Sequence, residues 1–218
     1  MSEIYSIALL TMKICTISTL ISGIIAIFIG FNLGINDNKI VKVMKVLTNA
    51  FTSLPPVIAG VLVYLLFSKN GIFGPLSWLY TEKVIIIAQV LIVIPIISAN
   101  IYPAVENIRT NYLETSLGLG ISKFKTYGQL LREVKYQVIS ALITGFGRAI
   151  SEVGAVMIVG GNIRYKTRVL TSAIVLENNK GNYGMSIRLG ILLMVISFVV
   201  SLLAMVFSRR DYDKTEKS

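Results

Sequence analysis

The chain has 218 residues, 54% of them hydrophobic and only 15% charged, with a mean hydropathy of +0.73. A soluble domain averages roughly 45–50% apolar and about 25% charged residues, so this is the composition of an integral membrane protein. The net charge of +10 falls between the hydrophobic blocks, where it serves topology and anionic lipid rather than nucleic acid, and the lack of histidine excludes His-based triads, His metal sites and proton shuttles.

The N-terminal "MSEIYSIALLTMKI" has no basic n-region and no A-x-A-like site after its apolar stretch, so it is expected to be retained. The first span is expected over about Ile14–Phe31, with Ile4–Met12 beyond Lys13 as an extension or a further membrane helix. It carries the single cysteine, Cys15, which excludes an internal disulfide, and a Thr16, Thr19, Gly23 stripe that reads as helix packing. A second span is expected over about Phe51–Phe67 behind Pro55-Pro56, and a third over about Val84–Tyr102 with Gln89 and Pro95. These prolines predict bent helices whose freed carbonyls neighbours must satisfy. A hydrophilic connection, about Pro103–Lys135, follows as two helical pieces around a glycine hinge. In it Leu113, Leu117, Leu119 and Ile121 offer apolar contacts, and Phe124, Tyr127, Leu130 and Leu131 recur at helical spacing. The fourth span is expected over about Tyr136–Val159 and the fifth over about Met185–Phe207. The fold class is therefore all-α and membrane-embedded, one transmembrane domain of about five helices.

Orientation follows from Lys and Arg. With the N-terminus outside, the inner segments hold Lys39, Lys42, Lys45, Arg109, Lys123, Lys125, Arg132, Lys135, Arg209, Arg210, Lys214 and Lys217. The outer segments hold Lys69, Lys83, Arg164, Lys166, Arg168 and Lys180, a ratio of twelve to six that favours N-out, C-in.

Within the fourth span stands "GRAISEVGA", Gly147–Ala155. A lone charge at mid-bilayer costs about 2.5–3.5 kcal/mol on insertion scales, so Arg148 and Glu152, four apart on one helix, are expected to pair away from lipid. Ser140 and Thr144 continue that strip, and Gly147, Ser151 and Gly154 beside it are small enough for close helix approach. Two readings stay open: a structural lock on the fourth helix, or an anion contact or gate in which Arg148 takes part. In "GGNIRYKTRVL", Asn162, Arg164, Lys166 and Arg168 form either an outer gate attracting a dianion or a solvated basic loop.

The connection from Glu114 resembles the cytoplasmic loop of ABC importer permeases: E-A-A, three residues, Gly, nine residues, I-x-L-P. Glu114, Thr115 and Ser116 stand in the E-A-A place, Gly120 falls on the glycine and Leu130 on the Ile, while Arg132-Glu133 departs from Leu-Pro. "GFGRAISEVGAVMIVGGNI" and "TSAIVLENNKGNYGMSIRLGILL" resemble oxyanion importer permeases, the tungstate-type branch above all, which shares a skeleton with the molybdate type. The resemblance implies a type I, molybdate-permease-like fold and a homodimer enclosing the anion path. It also implies two cytoplasmic ATPases docked on Glu114–Ile121, an external binding protein, and ATP with Mg on the ATPase alone. Consistently, the chain has no G-x-x-x-x-G-K-[ST] phosphate loop. A secondary transporter would call for a repeated architecture, and an embedded enzyme for convergent catalytic groups; the sequence shows neither.

Overall fold

The computed structural model describes residues 2–118 and 122–215. Nine helices carry the described chain: α1 (Ser2–Ile35), α2 (Lys39–Thr52), α3 (Pro56–Phe67), α4 (Glu82–Gly118), α5 (Lys123–Glu133), α6 (Lys135–Ile150), α7 (Gly154–Gly160), α8 (Leu170–Asn179) and α9 (Tyr183–Thr215). Three contain segments long and apolar enough to cross a membrane alone, Glu3–Ile35, Glu82–Arg109 and Tyr183–Leu203. Two bent pairs, α2 with α3 at 99° and α6 with α7 at 60°, raise the number to five if each pair is one span.

Helix α1 runs unbroken from Ser2, so Ile4–Met12 lengthens the first span and adds no separate helix. Lys13 sits within it with its ammonium 2.5 Å from Glu82 Oε2 at the start of α4. Helices α1 and α4 lie parallel. Ser18 meets Gln89, the Ala26 carbonyl meets Ser98, and the Ile35 carbonyl meets Arg109. Glu3, Lys13, Glu82 and the 161–169 loop thus share one end of the bundle, and Lys45, Glu106 and Arg109 the other.

The expected second and fourth spans are corrected: neither is one helix. Pro56 opens α3, where its missing N–H costs nothing, and Pro55 before it is held extended, so the chain turns sharply there. At 12 residues, α3 is about 18 Å long, too short to cross the ~30 Å hydrocarbon core alone. The break between α6 and α7 contains no proline and is held by side chains. Helix α4 continues through Pro95 and Pro103 to Gly118, so the expected connection begins as helix and the sharp bends lie elsewhere. The connection between the expected fourth and fifth spans contains α8.

Two of the three buried apolar clusters use α1 and α4. One joins Ile14 to Ala59, Val63, Val84, Ile85, Val156 and Val159; another joins Ala26 to Val93, Ile97, Ile101, Val138 and Ala149. The third gathers Ile7, Leu170, Ala173 and Leu189. On α5 the buried face is Thr126 and Leu130, followed by Val134, while Tyr127 and Leu131 are exposed, so the expected stripe is split; the Phe124 side chain lies outside the described residues.

Helices α3 and α7 touch through Gly60, where an added Cβ would stand 2.6 Å from the Ala155 Cα. Backbone cannot yield as a side-chain tip can. Gly60→Val is expected to lower the stability of the purified protein by about 1–3 kcal/mol or more, read by thermal unfolding in detergent. Gly128→Ala, with nothing within 4 Å of the new methyl, is expected to raise it by roughly 0.5–1 kcal/mol.

Candidate functional site

Helix α6 ends at Ile150, and Ser151–Val153 are not helical before α7 begins at Gly154. Arg148 lies in the last turn of α6, where a cation suits the negative end of the helix dipole. Glu152 lies before α7, and its Oε1 accepts the Ala155 N–H at 3.1 Å, so the carboxylate caps that helix. Arg148 Nη1 donates to Glu152 Oε2 at 2.9 Å. The pair therefore bridges two opposed helix ends rather than sharing one helix face, a correction to the expected geometry. The Glu152 side chain is 3% exposed and that of Arg148 31%.

Other helices close the break. Gln89 of α4 donates Nε2 to the Ala149 carbonyl at 3.1 Å while its Oε1 accepts from Ser18 of α1 at 2.7 Å. Thr171 of α8 donates to the Glu152 carbonyl at 2.8 Å. Along α6, Thr144 donates to the Ser140 carbonyl and Ser151 to the Gly147 carbonyl, and both hydroxyl residues are exposed on this chain. Of the small residues, Gly154 makes the close approach, 2.7 Å from Val57 Cγ2 to an added Cβ; Gly147 has only Val200, at 3.9 Å. Gly145, which the sequence did not single out, lies tight against Ile97 at 2.7 Å.

The outer candidates stand in a tied turn. Gly161 and Asn162 both have positive φ, and an added Cβ on Gly161 would meet the Tyr80 ring at 2.8 Å. Asn162 accepts from Ser172 Oγ at 3.0 Å and donates to its carbonyl at 3.2 Å. Thr167 donates to the Gly160 carbonyl and accepts the Ile163 N–H. Arg164 makes a forked pair with Glu3 at 2.9 and 2.6 Å, and Arg168 Nη1 reaches the same carboxylate at 3.3 Å. Lys166 is exposed. The Glu3 hydrogen bond raises the Arg164 pKa further above its ordinary value. Nearby, the Lys180 hydrogen bond holds the Glu177 carboxyl below the usual carboxylate range.

The first turn of α8 brings these groups together. Leu170 donates its N–H to Thr11 of α1 at 2.9 Å, Thr171 holds the break and Ser172 holds Asn162. Sequence reasoning missed Gln89 as a clamp, and missed Thr11, Thr171, Ser172 and Glu3. Of these only Glu3 carried a visible signal, as the sole acid before Asp37. Gly120 and Ile121 of the expected docking loop lie outside the described residues, as do the side chains of Glu114, Thr115, Ser116 and Leu117.

The arrangement supplies donors and hydroxyls on a bent span. Among the described residues no group of His, Cys, Asp and Glu could hold a metal ion. Arg148 has N–H groups beyond the one bonded to Glu152 and is half-buried, so it can meet an anion without leaving its partner.

These features belong to a multi-pass permease, and residues 8–210 match the family of binding-protein-dependent transport system inner membrane components. The chain belongs to that family: it is the membrane-spanning subunit of an ABC importer, which works with a separate ATPase and a substrate-binding protein. It is 34% identical to the tungstate uptake system permease protein TupB of Peptoclostridium acidaminophilum, over 96% of this chain and 91% of that one. It is 33% identical to the protein of the same name from Campylobacter jejuni, over 75% and 68%. To a probable anion ABC transporter permease protein of Haloferax volcanii it is 29% identical, over 96% and 93%.

Arg148→Ala leaves the buried Glu152 carboxylate without its counter-charge. The expected loss is roughly 3 kcal/mol, the low end for an orphaned buried ion because Arg148 is partly exposed. Arg148→Ala with Glu152→Gln removes the charge but keeps an acceptor for Ala155, and should recover most of that loss in thermal unfolding. Equal instability of the single and double variants would show that the counter-charge is not what matters.

Proposed function

We propose that this chain is the permease of an ATP-driven tungstate importer, with its N-terminus outside and its C-terminus in the cytoplasm. The observation that carries the substrate is the 34% identity to a tungstate uptake permease along nearly the whole of both chains. Tungstate is a tetrahedral dianion, and the donor-rich strip on α6 suits one that must be passed on rather than held, since tight binding slows release. The permease works as a homodimer. Its support is the strip itself: Arg148 is only half-buried on a single chain, where contact of its guanidinium with hydrocarbon would be costly, and the exposed Thr144 and Ser151 lie beside it. A second copy across a water-filled path removes that cost. Two cytoplasmic ATPases, which alone bind ATP and Mg, dock on Glu114–Ile121, and an external binding protein delivers the anion to the Asn162–Arg168 side. The orientation rests on the twelve-to-six distribution of basic residues.

The test is uptake by vesicles holding the permease with its ATPase and binding protein. ATP-dependent accumulation of labelled tungstate, resistant to excess sulfate, is expected; accumulation of molybdate or sulfate but not tungstate would overturn the substrate. In a Cys15→Ser background, Lys123→Cys should react with an impermeant maleimide only from the cytoplasm and Lys180→Cys only from outside. Gly120→Val and Glu114→Lys should insert normally yet fail to retain the ATPase, because the turn and the acceptor at its docking edge are lost. Normal coupled uptake by both variants would remove the dock from this loop.

A further inference from the structure

Charge sets the depth of the membrane on this chain. Helix α1 has no charged residue from Ile14 to Asn36, α4 none from Val84 to Val105, and α9 none from Leu189 to Ser208. At 1.5 Å per residue these stretches are about 30–35 Å long, the thickness of the hydrocarbon core. Lys13, Lys83 and Arg188 end them at one side of the bundle, where Lys13 meets Glu82 and Leu189 shares an apolar cluster with Ile7. Lys13 therefore stands at the edge of the hydrocarbon, and the turns of α1 just before it lie at headgroup depth.

At that depth a cleft of about 450 Å³ opens between α1 and the 161–169 loop, lined by Ser6, Leu9, Leu10, Lys13, Tyr165 and Arg168 among others. Ser6, Leu9 and Lys13 follow one another along a single face of α1, which continues into the hydrocarbon through Leu20 and Ile24, 60% and 74% exposed. A cationic mouth thus opens onto an apolar track. None of the lining residues is acidic. Glu82 is held by Lys13, Glu177 by Lys180, and Glu3 is shared by Arg164 and Arg168, so positive charge is in excess. The Arg164 guanidinium covers the Tyr165 ring at 5.0 Å, which denies that face to a ligand's ammonium.

Size decides between anions. A tetrahedral oxyanion has five heavy atoms, whereas a cleft of this volume suits a ligand several times larger. We propose that it holds the headgroup of an anionic phospholipid, with the phosphodiester between Lys13 and Arg168, headgroup hydroxyls toward Ser6 and Tyr165, and acyl chains along Leu20 and Ile24. Each Lys or Arg near anionic lipid adds about fivefold in affinity. A zwitterionic lipid brings the same phosphate together with an ammonium, which the surplus cations repel.

The test is native mass spectrometry of the purified permease titrated with phosphatidylglycerol or with phosphatidylcholine of matched chains. The first phosphatidylglycerol per chain is expected to bind at a concentration roughly fivefold or more below that needed for phosphatidylcholine. Lys13→Gln and Arg168→Gln should each weaken it about fivefold. Lys166→Gln, on the same loop but not lining the cleft, should leave it unchanged. Leu9→Trp keeps every charge but fills the cleft, and should abolish the preference; Leu9 is 53% exposed, so the fold has room for the larger ring. Equal affinity for the two lipids, an equal loss in Lys166→Gln, or a preference that survives Leu9→Trp would overturn the site. Displacement of the lipid by tungstate, beyond that caused by sodium chloride of equal ionic strength, would hand the cleft to a small oxyanion and overturn it as well. The assay needs no transport and no assigned leaflet, so a wrong substrate or orientation leaves its result unaffected.

Discussion

Backbone groups surrounded by hydrocarbon must be hydrogen-bonded, and the break at Ser151–Val153 makes that requirement acute. A straight helix would satisfy every N–H and carbonyl by itself. Here the Ala149 carbonyl takes the Gln89 amide, the Glu152 carbonyl takes the Thr171 hydroxyl, and the Ala155 N–H goes to the Glu152 carboxylate. Each partner comes from a different part of the chain, so α4, α8 and the break have to be built together. Ser18 fixes which end of the Gln89 amide faces the break, because its hydroxyl donates to Oε1 and leaves Nε2 for the carbonyl. The bend in the fourth span is thus specified by polar side chains on its neighbours as much as by its own residues.

Charge follows the same economy. Removing an ion from water is costly, and a partner of opposite sign with further hydrogen bonds offsets that cost only where the geometry is close. Lys13 finds Glu82, Arg148 finds Glu152, and Arg164 and Arg168 share Glu3. The basic segment Arg164–Arg168 is therefore a clasp from the 161–169 loop to the start of α1, and Glu3 reduces the field it would present to an approaching dianion. The exposed Lys166 keeps its charge at the rim. Arg148 differs from Arg164 and Arg168 in facing a carboxylate that also caps a helix, so Glu152 cannot swing away without releasing the Ala155 N–H.

Much of the fold was legible because length and hydropathy suffice for α1, α4 and α9, whose apolar runs are long and uninterrupted. The Arg148–Glu152 pair was legible from its spacing, and the family from its motifs. The breaks were not. A hydropathy window averages across the few residues of "SEVG", and whether they continue a helix depends on Gln89 and Thr171, 60 residues before Ala149 and 19 after Glu152. Helix α8 was hidden for a related reason: its buried first turn holds Thr171 and Ser172, and a polar pair reads as loop when its partners are unseen. Glu3 lies 161 residues from Arg164, beyond any local pattern. Helix α2 was masked because its lysines lower the mean hydropathy of a segment whose apolar residues keep helical spacing.

Helix α4 joins these parts mechanically. It runs from Glu82, beside Lys13, past Gln89 at the break, past Tyr102 and Glu106 against α2, and on to Gly118 in the segment proposed to dock the ATPase. A displacement of that end carries α2 with it through Lys45 and Asn49. To reach Gln89 it must also pass Pro103 and Pro95, each of which removes one backbone hydrogen bond and makes the helix easier to bend. The two prolines would therefore decide how much of that movement reaches the Ala149 carbonyl. Stiffness along α4, rather than any contact at the break itself, then sets how closely the two ends of the permease move together.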